Sequence, residues 1–568
     1  MKNELEEPSI KENILSKINQ KKLLIIILSF TIYIIILAFV FVPLQGGLLS
    51  STEVMPPVDN LPGQYESNLP IQELLGIYGR SIAIALVMLS HVLYANLHLG
   101  GSWVAVTSET IFIKNSAGRF NRLARSLTLF NVMLFSLGTT FATAGVLFFI
   151  VLVPNLATNL FHIYWWPLFA EAITFFMEVI FLYTYWFTWD KIKTKYHQIL
   201  GYAYAVTVFF QVLFINMVAA GMLTPGTPTV TFTSDGLLTM STNDLFSWWF
   251  NPTTWYLTWH RFAAAVSVFG FILVLLAMLH YKDRPDTASK KYWDWVGSWG
   301  MMWGLFGLVF QPILGLLYVN QLFYSVNPAF QMMMHGPRAW EMLLMVSLLS
   351  ALFLIILVYY IDRKEKILNR EENAKYKKLF NWFLIISAIC AFFLVQPSWF
   401  IIGNPPVEEV FEFGSNSVFN PLGIMGIKYI ALLVLMIIGI LIVAIDVKML
   451  KKMKEGEWGR LSKVSRYAGI LAGVVGMFIV VVMGYVRESS RAPYTIFGIL
   501  PVPGASTNPT PIAIDRLFIV FGIVLFTVIA VFWFTSKVTA HHPEKAETIY
   551  SVGYDDMEES AAQENVNN

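Results

Sequence analysis

Twelve apolar stretches divide the chain, and the segments joining them alternate between strongly basic and free of Lys and Arg, except the last, which carries Arg487 and Arg491. A helix needs roughly 20 residues to cross a hydrocarbon layer about 30 Å thick. Stretches of that length fall near 22–44, 80–105, 127–153, 163–189, 198–222, 258–281, 298–318, 338–361, 379–402, 424–447, 466–486 and 514–536. Because lipid offers the backbone no hydrogen-bond partners, such stretches must be helices. The expected fold is therefore an all-α, polytopic membrane helix bundle of about 12 transmembrane helices.

Lys and Arg set the orientation, because cytoplasmic loops retain them. The N-terminal segment carries Lys2, Lys11, Lys17, Lys21 and Lys22. Each even-numbered connection is basic, as in Lys114, Arg119, Arg122 and Arg125, or in Lys191, Lys193 and Lys195. The connections at 45–79, 154–162, 223–257, 319–337 and 403–423 contain neither Lys nor Arg. This pattern places both termini in the cytoplasm. No A-x-A-like cleavage site follows the first stretch, so it reads as an uncleaved anchor.

With 56% hydrophobic and 13% charged residues and a mean hydropathy of +0.60, the chain is neither a disordered polymer, a nucleic-acid binder nor a soluble multi-domain enzyme. Its one cysteine, Cys390, excludes an internal disulfide and a CxxCH site for covalent haem.

Ionisable side chains at membrane depth are costly and point to function. His260, in TWHRF, and Met342, in RAWEMLLM, each lie a few residues inside the outer face, on two different helices. An imidazole and a thioether at one height can ligate a low-spin haem b; an interfacial histidine and a core-filling methionine would give the same composition. His91 lies deeper. Glu171 and Glu178 are seven residues apart on one helical face, about 10 Å along the axis. Stacked acids there suit a proton path or an anionic haem ligand, or else they are protonated groups bridging helices. His98 follows His91 by seven and is either a further ligand or a hydrogen-bond partner. His162 and His335 sit at outer loops. Arg487 and Arg491, with Arg338, stand on the side otherwise free of positive charge; they suit anionic groups such as haem propionates, or pair with Glu488.

These features together resemble subunit I of cytochrome bd-type oxidases, over about 80–361 and again over 466–536. Residues 90–101, SHVLYANLHLGG, resemble the helix whose histidine ligates a high-spin haem, which puts His91 in that place. Residues 167–192 resemble the helix with two glutamates and a Trp-Asp pair; Glu178 matches the second, and Glu171 is displaced by one from the first. His260 and Met342 resemble the low-spin haem ligands, and YVRESSRAP resembles the Glu-x-x-Arg-x-Pro stretch, placing Glu488 and Arg491. The chain also departs from the family. The long quinol-binding loop with its Lys and Glu is replaced by 319–337, and a haem-ligating glutamate expected about ten residues before Arg491 is replaced by Val481 and Val482. Met483, Glu171 or His98 are the available substitutes.

The resemblance implies a divisible chain: an N-terminal segment 1–21, an added anchor and outer loop 22–79, haem-binding helices 80–361, two inserted helices 362–465, a helix pair 466–536 and an acidic tail 537–568. It implies a respiratory oxidoreductase of the bacterial inner membrane with a low-spin haem b and one or two high-spin haems (b or d). Electrons would come from an outer-face donor, cytochrome c or another redox subunit, and O2 would be reduced, with Glu171 and Glu178 carrying protons. Lipid and a second membrane subunit are the implied partners. Two other readings fit the residues: an electron-transfer subunit without O2 chemistry, and a proton-coupled secondary transporter.

Overall fold

The computed structural model describes residues 70–115, 118–226, 230–234, 237–283, 287–334, 339–395, 426–450, 458–491, 494–501 and 530. Ten helices among the described residues are long and apolar enough to cross a membrane. They coincide with ten of the twelve stretches expected from sequence; 22–44 and 514–536 lie outside the described residues, as do His335 and Arg338.

In chain order the helices are α1 (Pro70–Asn115), α2 (Gly118–Leu152), α3 (Pro154–Ile163), α4 (Trp165–Phe187), α5 (Thr194–Leu223), α6 (Thr242–Trp249), α7 (Thr254–Asp283), α8 (Thr287–Ser325), α9 (Asn327–Met334) and α10 (Ala339–Arg363). There follow α11 (Glu365–Leu368), a short 3-10 turn, α12 (Ala374–Val395), α13 (Gly426–Leu450) and α14 (Lys463–Ser489). Two small antiparallel ribbons, β1 (Thr231–Phe232) with β2 (Leu238–Thr239) and β3 (Tyr494–Ile496) with β4 (Leu500–Pro501), lie between helices and after α14. The protein is an all-α polytopic membrane bundle.

Helix α7 is the hub, packing against α8, α14, α1 and α5. Lipid supplies no hydrophobic drive between helices, so close approach through small residues must hold them. The α7–α8 contact is made this way: a Cβ on Gly270 would fall 2.2 Å from the Gly304 nitrogen, and one on Gly307 would fall 2.6 Å from the Ala263 carbonyl oxygen. On α1, a Cβ on Gly100 would fall 2.2 Å from the Ala265 carbonyl oxygen of α7.

Buried ion pairs tie neighbouring helix ends together. Arg363 of α10 grips Asp294 of α8 with two hydrogen bonds of 2.6 Å, and the Gly459 amide donates to the same carboxylate at 2.7 Å. Lys364 meets Asp446 of α13, and Asp362 accepts from Ser462 and Ser465 at the start of α14. Ser462 is also the N-cap of α14, accepting from the Ser465 amide, which satisfies one of the helix's free N–H groups.

Candidate functional site

Two regions of the bundle collect the chemistry. The first is a cavity between α7, α8, α10 and α14, of about 170 Å³ and partly open to the exterior. His260 of α7 and Met342 of α10 both stand on its wall, so the two residues read from sequence as being at one depth also face one space. The rest of the wall is mainly apolar. Pro312 and Gly315 of α8 belong to it; Pro312 removes a backbone donor inside its helix, and Gly315 leaves room beside the imidazole, since a Cβ there would lie 3.6 Å from His260 Nε2. Gln311 holds the segment by donating to the His260 carbonyl at 3.1 Å, and the Tyr318 ring stacks 6.4 Å from the imidazole.

Charge gathers at one part of this wall. Arg261 and Arg487 line the cavity. Arg261 donates to Asn216 at 2.5 Å. Arg487 binds the Ala219 carbonyl and Glu488, and Arg491 binds Glu488 and the Thr495 carbonyl. Glu488 thus sits between the two arginines. Tyr164 is fully buried close to them. Arg261 was not singled out from sequence, although it adjoins His260; its position on the cavity wall is a tertiary result.

The second region lies between α1, α4 and α5. His98 Nε2 is 2.5 Å from Glu178 Oε1, and the Tyr204 hydroxyl is 3.0 Å from the same nitrogen. His98 and Glu178 are only 5% and 1% exposed. His98 is therefore a hydrogen-bond partner of Glu178 here. Glu171 lies two turns outward along α4, half-buried. His91, on α1, has its Nδ1 3.0 Å from the Gly138 carbonyl oxygen. A carbonyl only accepts, so Nδ1 carries the proton and the Nε2 lone pair is left for a metal, the usual arrangement behind a ligating histidine.

A further layer escaped the sequence reading. Beyond His98 along α1, His197 Nδ1 is 2.5 Å from Glu109 Oε1, His197 Nε2 is 2.9 Å from the Tyr185 carbonyl oxygen, and the Tyr185 hydroxyl donates to Glu109 Oε2 at 2.6 Å. Glu109 and His197 fall just outside the expected stretches 80–105 and 198–222, in what read as inner loops. The helices run past those limits, to Asn115 and back to Thr194, and bury both residues.

Val481 and Val482 are buried in α14, and Met483 lies on the wall of the His260 cavity. His162 is exposed on α3. Among the described residues there is no cluster of three or more His, Cys, Asp or Glu side chains suited to a bare metal ion. His260 instead stands on the wall of a mainly apolar cavity.

A family model described as cytochrome bd terminal oxidase subunit I matches residues 81–329. Over that region the chain resembles cytochrome bd subunit I. The matched region holds His91, Glu171, Glu178 and His260, whereas Met342, Arg487, Glu488 and Arg491 lie beyond it. No curated protein matches the sequence. Among solved structures, the bd oxidase from Geobacillus thermodenitrificans aligns with a TM-score of 0.48 at 17% identity, over 80% of this chain and 95% of that one. The ten apolar helices make the chain a multi-pass membrane protein, and its similarity to bd oxidase subunit I lies over 81–329.

Proposed function

We propose that this cytochrome bd-like chain is the haem-bearing subunit of a respiratory complex in the bacterial inner membrane, with both termini cytoplasmic. In this reading it takes electrons from a donor at the outer face and reduces O2 to water. The observation that carries the reading is the placement of His260 and Met342 on the wall of one largely apolar cavity, with Arg261 and Arg487 beside them. A low-spin haem bound there supplies one-electron transfer, and a high-spin haem supplies the site of gas reduction.

The donor set fits such groups. His260 and Met342 would ligate the low-spin iron, and Arg261, Arg487 and Arg491 would offset propionate charge, with Glu488 beside Arg487 and Arg491 and Arg338 a further candidate from its place in the sequence. His91, its Nδ1 proton fixed by Gly138, would ligate a high-spin iron of b or d type; Glu171 or Met483 are the side chains available for a second. Each electron used in O2 reduction needs a proton in a region without water. Glu178 can hold that proton and exchange it with His98, which shares one nitrogen between Glu178 and Tyr204. Glu171, two turns further out, extends the relay.

The stretch 319–337 carries no Lys or Glu, and this supports a cytochrome c or other redox subunit over quinol as donor. A second membrane subunit would cover part of the apolar outer surface, and lipid the remainder. One observation favours the nearer alternative of an electron-transfer subunit: Val481 and Val482 stand where a haem-ligating glutamate is expected.

The test is a dithionite-reduced minus oxidised spectrum of the purified complex, with and without carbon monoxide, together with O2 consumption from reduced cytochrome c. A low-spin b signal with a CO-sensitive band and O2 uptake is expected. A low-spin signal indifferent to CO would favour the electron-transfer subunit, and no haem at all would overturn both.

A further inference from the structure

Helices α4 and α5 carry their polar residues in register, and α1 adds Glu109 eleven residues after His98. On α4, Glu171, Glu178 and Tyr185 follow one another at intervals of seven, and on α5 His197 and Tyr204 do the same. A spacing of seven returns to the same helical face about 10 Å along the axis. The result is a set of layers: Glu109, His197 and Tyr185 near the inner face, then His98, Glu178 and Tyr204, then the level of Glu171 and His91.

The inner layer is closed on itself and sealed from lipid. Glu109 is 3% exposed, His197 4% and Tyr185 0%. Every polar atom of the Glu109 carboxylate has a partner, one oxygen on His197 and the other on Tyr185. It also touches the next layer, because the Tyr185 ring stacks on the Tyr204 ring with centroids 6.4 Å apart. On its other side it approaches water: Glu109 is six residues from the end of α1, and His197 is in the first turn of α5, next to the basic segment with Lys191, Lys193 and Lys195. A buried acid, histidine and phenol arranged only to join helices would not need to repeat at the interval of the layer above. Ionisable groups at this depth are costly unless they move protons or bind ligands.

We propose that Glu109, His197 and Tyr185 form the inner half of a proton path, loading a proton from the cytoplasmic side and handing it to the Glu178, His98 and Tyr204 layer. The inference rests on the oxidase reading above and adds to it the residues that feed the Glu178 relay. One transfer is balanced at each site: Glu109 gains a proton from the inner aqueous phase as it gives one up towards Glu178, and no electron moves. Neither layer is asked to bind a haem or O2.

The experiment uses the purified complex in vesicles, with ascorbate and a redox mediator as reductant, and reads three quantities. The first is the dithionite-reduced spectrum, which reports bound haem. The second is O2 consumption together with proton uptake followed by a pH dye. The third is the reduction-induced infrared difference spectrum in water and in D2O. For Glu109→Gln and His197→Asn the expected result is an unchanged reduced spectrum, with O2 consumption and proton uptake slowed at least roughly tenfold. Glu109→Asp should recover most of the rate. Wild-type proton uptake in Glu109→Gln would overturn the proposal. If Glu109→Gln does not fold, His197→Asn decides by the same criterion. If the wild-type complex carries haem but consumes no O2, the oxidase reading fails and the infrared arm decides this one: a carboxyl band that shifts in D2O and is absent from Glu109→Gln supports the path, and a band unaltered in that variant overturns it.

Discussion

The two polar regions are housed differently. Around His260 and Met342 the protein itself forms the surroundings: 94% of the most apolar window of α10 and 83% of that containing α7 is buried, against 17% for α2 and for α4. Glu178 belongs to one of the thinly covered helices, yet is 1% exposed, while Phe176 and Ile180 on the same helix are 67% and 62% exposed. Helix α4 therefore turns an acidic face to α1 and α5 and an apolar face to the bilayer or a partner subunit. A cofactor cavity needs walls on all sides, and central helices supply them; a proton relay needs only one dry seam between helices, with an end near water. On the proposed function, the difference in burial follows from the difference in task.

The largest expected effect separates these regions. His260→Ala or Met342→Ala should abolish the low-spin haem signal while leaving the Glu178 seam intact; retention of that signal in both variants would end the assignment of the cavity. The complementary change is Glu178→Gln. It should lower O2 consumption about a hundredfold, with the low-spin spectrum as in wild type, and a matching loss of both would show that the regions are not independent.

Stability tests probe how the well-covered region is held. Asp294→Asn leaves Arg363 buried without its charge partner, which costs about 3–5 kcal/mol and should lower the thermal unfolding midpoint in detergent. A midpoint equal to wild type would show that the inner ion pairs do not hold the bundle. Gly270→Ala brings a methyl against the α8 backbone at Gly304. Overpacking of that kind costs about 1–3 kcal/mol, and its signature is a smaller midpoint shift with some broadening of the His260-side spectrum.

The sequence by itself determined the elements. Ten of the expected crossings are present as helices of matching position, because apolar length is a local property that lipid enforces residue by residue. It also placed His260 and Met342 at one height, and Glu171 and Glu178 on one face. Its limit was the helix ends. Apolar stretches stop where polar residues begin, so the continuation of α1 through Glu109 and the start of α5 before His197 were read as loops. Only the tertiary structure decided which groups meet. Glu178 finds His98 80 residues away and His197 finds Glu109 88 residues away, and Arg261 reaches the same cavity wall as Arg487. Such meetings depend on the rotation and tilt of whole helices, which are set by glycine contacts such as those between α7 and α8, and no local pattern in the chain encodes them.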